Sequence, residues 1–234
     1  MSIHDGHRQR LKDRFRSEGL DHFREHEVLE LFLFYCIPRR DTNPIAHDLI
    51  DRFGALSKVL EAPPEELAKV PGMGESAATF LSMLGALERY SAVNRASLKK
   101  DLIMNTVADC GNYLINFFYN RRNESVYLLC LDAKRKVLCC KEVGEGSVNS
   151  MAVSIRRIVE MALAANATSV ILAHNHPSGI AVPSPEDIHT TRRIAAALDA
   201  VEVTLVDHIV VAEDDFTSMV HSGLYRPEDC QTGY

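Results

Sequence analysis

No apolar run in this sequence reaches the roughly 18 residues that a membrane-spanning helix needs. The first segment, Met1 to Arg16, is polar and charged and has no apolar h-region. No secretory signal is expected, and the expected location is the cytoplasm. Of the six cysteines, Cys36, Cys110, Cys130, Cys139, Cys140 and Cys230, none forms a C-x-x-C pair. That spacing argues against a thiolate zinc site and against a disulfide framework. The thiols sit mostly among apolar neighbours, where free cysteine behaves as a small buried hydrophobe. Internal repeats and low-complexity tracts are missing too. Nor is there an excess of positive charge. The net charge is −6, and residues 101–234, with 11 Lys+Arg against 17 Asp+Glu, account for all of it. An acidic half of this kind is a poor nonspecific DNA binder. The neutral first half is basic only locally, at Arg8, Arg10, Lys12, Arg14 and Arg16.

What is present fits one large or two small globular domains: 234 residues, 46% hydrophobic and 25% charged. The first hundred residues read as helices. Val28 to Cys36 is nearly continuous apolar and should stop before Pro38 as a buried helix does. Asn43-Pro44 offers an N-cap with proline at the first helical position, leading into Ile45–Phe53 with Gly54 as C-cap. Pro63-Pro64-Glu65-Glu66 opens a short helix. Glu75 to Val93 is a longer one, with Ala77, Phe80, Leu81, Leu84 and Leu87 on helical spacing. Residues 94–103 break the pattern and are the expected linker, with a boundary near 100. Beyond it the expected elements alternate. Helices are expected over Val107–Phe118, Val153–Ala165 and Pro185–Leu198. Strands are expected at Ser125–Leu131, Lys136–Glu142, Ser169–Ala173 and within Val201–Val211. This is a mixed α/β domain at 101–226, followed by a tail at 227–234.

The informative stretch runs from His174-Asn175-His176-Pro177-Ser178-Gly179 to Ser184-Pro185-Glu186-Asp187. Two histidines at i and i+2 in extended chain point to the same side and can converge on one ion. Pro177 keeps the chain extended at His176, and Gly179 lets the loop turn back. Asp187 then returns a carboxylate. Two histidines and one carboxylate leave a fourth tetrahedral position for water, the arrangement of a catalytic zinc. Ser184 to Asp187 is equally a good helix start, with Ser as N-cap, Pro at the first position and acids in the first turn. The two readings coexist, because a helix N-terminus can aim Asp187 back at the strand end. A zinc-activated water needs a base and a leaving group needs an acid. On residue chemistry alone Glu124, Glu160, Glu186 and Asp207 all qualify.

The spacing H-x-H, seven residues, S, two residues, D, met by His174, His176, Ser184 and Asp187, resembles the JAMM (MPN+) metalloprotease motif. The wording H-N-H-P-S-G and then P-S-x-x-D is similar to the bacterial RadC family in particular. So are Asn123-Glu124 before the strand ending Leu131-Asp132, and Leu205-Val206-Asp207-His208-Ile209. In the first half His7 to Leu11, Pro38 to Pro44 and Phe53-Gly54 resemble the RadC N-terminal region, so the likeness covers nearly the whole chain. It departs at Val153-Ser154-Ile155-Arg156-Arg157, where relatives often carry H-P-R-E. The resemblance implies an α/β fold. It would be a mixed-sheet JAMM/MPN-type domain with flanking helices, layered like cytidine deaminase, after a small all-α domain at 1–100. It implies one zinc per chain, held by His174, His176 and Asp187. It also implies Glu124 as general acid/base on the strand, Ser184 as an oxyanion stabiliser, and hydrolysis of peptide or isopeptide bonds in a peptide or protein substrate. Asp207-His208 either orients a metal-bound imidazole or is a satisfied core pair; His189 and His221 are expected to be surface or structural.

Leu67 to Ala77 reads as helix, tight glycine hairpin, helix, and is similar to a helix-hairpin-helix motif. Exposed N–H groups in such a turn, beside a helix N-terminus, can approach a phosphate. The competing reading is a packing corner, since Glu75-Ser76-Ala77-Ala78 follows the turn and the nearest cations are Lys69 and Arg89. DNA is therefore the alternative partner, through the N-terminal helices.

Overall fold

The computed structural model describes residues 3–97, 102–119, 121–146 and 155–227. They fall into two units, Met1–Tyr90 and Ser91–Tyr234. The linker expected at 94–103 lies partly outside the described residues, as do Val153 and Ser154, Cys230 and, except for Pro227, the expected tail.

The first unit is built of α1 (Ile3–Glu18), α2 (Glu25–Cys36), α3 (Asn43–Phe53), α4 (Leu56–Glu61), α5 (Pro64–Leu67) and the start of α6 (Glu75–Ser97). Leu29, Leu33, Leu49, Val59, Leu67, Ala77 and Leu81 form its core. Leu87, although on the apolar spacing of α6, is 60% exposed. The helix at 43 begins one residue earlier than expected, with Thr42 in the cap position. Asn43 does not cap because its amide donates instead to Glu30 Oε2 at 3.1 Å, while its N–H goes to Asp41 Oδ1. Glu30 is buried and also meets His7 Nε2 at 3.0 Å. The basic segment is put to use in the same way. Arg8 donates to the carbonyls of Phe34, Ile37 and Arg40 and lies over the Phe34 ring. Arg14 pairs with Glu18 and Glu27, and Arg16 with Asp13. Two of the charges that look in sequence like a nucleic-acid patch, Arg8 and Arg14, hold α1 to α2 and to the loop before α3.

The second unit orders α7 (Val107–Phe118), β1 (Ser125–Leu131), β2 (Val137–Glu145), α8 (Ile155–Ala164), β3 (Ser169–Asn175), α9 (Pro185–Asp199), β4 (Thr204–Ala212) and β5 (Asp215–Ser218). The strands make one mixed sheet in the order β2-β1-β3-β4-β5. Only β3 and β4 are parallel, joined by the α9 crossover; the other neighbours are antiparallel. Alternation along the strands sends Val170 and Leu172 to one face and Ile171 and Ala173 to the other. Helices α8 and α9 cover the first face through Ile158, Ala162, Ile194 and Leu198. Helix α7 covers the second through Leu114, Phe117 and Phe118. Each of the Ile, Leu and Phe side chains stabilises the fold by about 1.5–3 kcal/mol when fully buried. The result is the expected sheet with flanking helices. The strand β5 was not expected, because Asp-Phe-Thr-Ser carries a single large apolar residue.

That residue, Phe216, sets a tight contact. A Cβ built on Gly111 of α7 would lie 2.3–2.4 Å from the Phe216 ring. Gly111→Ala gains about 1 kcal/mol of helix propensity but pushes the ring out of its slot, an overpacking cost of about 1–3 kcal/mol. The clash should win, because the ring is met at 2.3–2.4 Å, giving a net loss of up to about 2 kcal/mol in denaturant unfolding. An unchanged or raised midpoint would show that the ring has room to swing.

Candidate metal centre

The site lies at the C-terminal end of β3, beside the parallel strand β4 and the N-terminus of α9. His174 is in register with Val126 of β1 and Val210 of β4. Past the end of β3, His176 N–H donates to Val211 O at 2.8 Å, so the chain stays extended and both rings emerge on one side. Their Nε2 atoms are 3.0 Å apart. Gly179, at φ +82°, reverses the loop. Ile180 O then sits 3.0 Å from His176 Nδ1. A carbonyl only accepts, so Nδ1 carries a proton and Nε2 is the nitrogen available to a metal.

Asp187 is the third residue of α9. Its N–H donates to Ser184 Oγ at 3.1 Å, and its Oδ2 accepts from Ser184 N–H at 2.8 Å and from the Ser184 hydroxyl at 2.7 Å. This reciprocal cap fixes the carboxylate over the strand end. Oδ1 stands 3.6 Å from His174 Nε2, and Oδ2 stands 3.6 Å from His176 Nε2. Burial pushes the Asp187 carboxyl up, but His174 and the Ser184 donors outweigh it and hold it well below the usual carboxylate range. His174 and Asp187 are buried, whereas the His176 side chain is 17% exposed and opens the site to solvent.

The donor set suits a divalent metal. Its three ligand atoms lie within 4.8 Å of one another. A tetrahedral zinc with bonds of about 2.0–2.1 Å holds its ligand atoms about 3.3–3.4 Å apart. The contacts here are close to that value: 3.0 Å between the two Nε2 atoms, 3.6 Å from His174 Nε2 to Asp187 Oδ1 and 3.6 Å from His176 Nε2 to Asp187 Oδ2, so the carboxylate turns one oxygen to each ring. Two imidazoles and one carboxylate match zinc better than the all-oxygen sets of calcium or magnesium. No cysteine takes part: among the described residues Cys36, Cys110, Cys130, Cys139 and Cys140 are free thiols.

Glu124 is half-buried and stands one residue before β1 rather than on it. Its carbonyl accepts from Gly146 N–H at 2.7 Å. With Arg122, Asn123, Glu145, Gly146, Pro177 and Ser178 it lines an open cleft of about 790 Å³ that borders the loop after His176. Asn175, between the two histidines, grips the chain on both sides of Glu124: its Oδ1 accepts from Ser125 N–H at 2.8 Å and its Nδ2 donates to Asn123 O at 3.2 Å. The other carboxylates that qualified on chemistry alone lie elsewhere. Glu160 pairs with Arg156 along α8, and Glu186 is exposed in the first turn of α9. Asp207 is buried, which pushes its carboxyl up, and accepts from the Ser218 hydroxyl and from the N–H groups of Val220 and His208.

Asp207 and His208 thus part company. Asp207 ties β4 to β5 and the turn beyond, while the His208 ring reaches the site. Its Nε2 lies 2.7 Å from His174 Nδ1, and its Nδ1 lies 2.6 Å from Thr191 Oγ1 on α9. Complete burial pushes its imidazole well below the usual histidine range. His189 and His221 are exposed and outside this cluster.

Residues 104–224 match the model of the RadC-like JAB domain. The chain is 36% identical over 226 residues to a UPF0758 protein of Fusobacterium nucleatum subsp. nucleatum, covering 94% of this chain and 97% of the relative. It is 37% identical over 207 residues to a UPF0758 protein of Ruegeria pomeroyi, covering 88% and 92%.

Proposed function

The chain belongs to the RadC family, and we propose that its second unit is a zinc-dependent hydrolase of peptide or isopeptide bonds. The observation that carries this reading is the convergence of His174, His176 and Asp187 within 4.8 Å on a solvent-open side, next to the cleft that Glu124 lines. Metal-assisted hydrolysis needs all three of these parts: donors for a metal, room for substrate, and a group that moves a proton.

His174 and His176 would hold the ion through Nε2 and Asp187 through its carboxylate. When bound, zinc supplies a Lewis acid that lowers the pKa of water toward about 7 and polarises a carbonyl. Glu124 takes the proton from the attacking water as the new C–O bond forms. It returns that proton to the amine nitrogen as the C–N bond breaks. Asn175 holds the backbone of Asn123 and Ser125, so the Glu124 side chain starts from a fixed point. Ser184 donates its hydroxyl proton to Asp187 in the resting arrangement; serving an oxyanion requires only a rotation of that hydroxyl, because Ser184 N–H keeps the carboxylate in place. Donors preset around developing charge are among the largest contributions to catalysis.

The test is a panel of unstructured peptides and isopeptide-linked conjugates incubated with the zinc-loaded full chain. Cleavage of at least one member should vanish on chelation with phenanthroline and return with added zinc. Cleavage that persists after the metal is stripped would contradict the proposal.

DNA contact by the first unit is the second reading. Exposure of Pro71, Gly72 and Gly74 in the hairpin favours it. Against it, Lys69 is paired with Glu66, and Arg8, Arg14 and Arg16 are engaged within the unit.

A further inference from the structure

A single chain of buried hydrogen bonds runs from the main chain of Asp187 to the ring of His174. Thr191 Oγ1 lies 2.6 Å from Asp187 O and 2.6 Å from His208 Nδ1; His208 Nε2 lies 2.7 Å from His174 Nδ1. Thr191 and His208 are both fully buried.

The proton positions follow from donor and acceptor chemistry. Asp187 O is a carbonyl and only accepts, so the single Thr191 hydroxyl proton points to it. Were that proton turned to His208, two oxygens would face each other at 2.6 Å with nothing between them. The thioether of Met219, 3.4 Å from Thr191 Oγ1, is too weak an acceptor to compete. Thr191 must therefore accept from His208 Nδ1–H. Among the described residues no carboxylate lies within hydrogen-bond reach of the His208 ring to hold a second proton there; with Nδ1–H given to Thr191, its Nε2 accepts from His174 Nδ1–H. In its neutral form His174 is left with a bare Nε2, the atom that faces His176 and Asp187; only a second proton there lets the ring donate to Asp187.

We propose that His208, backed by Thr191, is a positioning residue that locks His174 in the Nδ1–H form and couples its ring to the helix end carrying Asp187. Two of the three ligands then form one prearranged unit before any ion arrives. The inference rests on the metal-centre reading above. An outer partner that fixes a ligand imidazole in this way typically changes metal affinity by about 10- to 100-fold.

The experiment measures zinc affinity of the full chain by competition with a chromophoric chelator, alongside two-bond proton–nitrogen spectra of the histidine rings in the metal-free chain. His208→Leu keeps an apolar filling but breaks the chain. It should weaken zinc binding about 10- to 100-fold and leave His174 as a mixture of tautomers. His208→Gln presents a carbonyl to His174 Nδ1–H and an amide N–H to Thr191, and should recover most of the lost affinity. Thr191→Val, which keeps the side-chain shape, should weaken binding and loosen the tautomer in the same direction as His208→Leu. Should His208→Leu fail to fold, the Gln and Val variants decide. The proposal is overturned if Thr191→Val or a folded His208→Leu binds zinc like wild type, or if metal-free wild type carries a proton on His174 Nε2 in place of Nδ1. A wild-type chain that shows the expected tautomer yet binds no zinc would instead sink the metal reading.

Discussion

Glu124→Gln should lower hydrolysis about 100- to 10,000-fold while zinc binding stays within about twofold of wild type. Glutamine matches the side chain in size and continues to line the cleft, but its amide does not take up a proton at working pH. The main-chain contacts that place residue 124, to Gly146 and through Asn175, involve no atom that the substitution changes. The loss should fall on kcat, because a proton transfer made in the transition state contributes nothing to ground-state binding. The measurement is kcat and KM on the best substrate of the panel together with a zinc titration. Near-normal kcat would remove Glu124 from the reaction. Lost zinc binding would show that it helps to hold the ion.

The second large effect is at Asp187. Asp187→Asn keeps the shape and the cap from Ser184 Oγ to residue 187 N–H, but removes the only anionic ligand. Zinc affinity should drop at least 100-fold, beyond the roughly 10- to 100-fold typical of an outer partner. The metal-free chain gives a separate readout. The carboxyl is held below its ordinary value in the folded state, so ionised Asp187 contributes stability at neutral pH, where folded and unfolded chains are both deprotonated there. That contribution is lost as pH falls through the folded-state value. The stability difference between wild type and Asp187→Asn should therefore shrink in acid, below the unfolded carboxylate value near 3.8. A difference that grew in acid would mean that the carboxylate is strained rather than stabilised.

The cluster of His174, His176 and Asp187 was legible in sequence because every signal for it is local. Strand end, i and i+2 spacing, a proline and glycine loop and a capped helix start all lie within fourteen residues. Glu124 was not legible in this sense. Four carboxylates qualified chemically, and only the resemblance to relatives favoured one of them. What places it beside the site is the β1–β3 register, a long-range pairing that leaves no trace in local periodicity. His208 was named only with Asp207 and with two alternatives left open, since both its partners come from other elements. The expectation of Asp207 and His208 as one pair was half right: adjacent residues in a strand point to opposite faces. Most helices and strands were readable from apolar spacing and caps, and α7 and β1 match their expected limits. The basic run at Arg8 to Arg16 carries no sign in sequence that its charges are engaged by α2 carbonyls and carboxylates. A stretch of cations reads the same whether it faces a phosphate or a neighbouring helix.

Elemental analysis of the purified full chain tests most directly whether His174, His176 and Asp187 form a metal centre with an open side. Wild type supplied with zinc should hold about one zinc per chain, as a His/His/Asp set does. His176→Ala and Asp187→Ala should hold almost none while keeping wild-type secondary structure. Wild-type protein that stays free of metal when zinc is supplied, or variants that keep a full complement, would contradict the account.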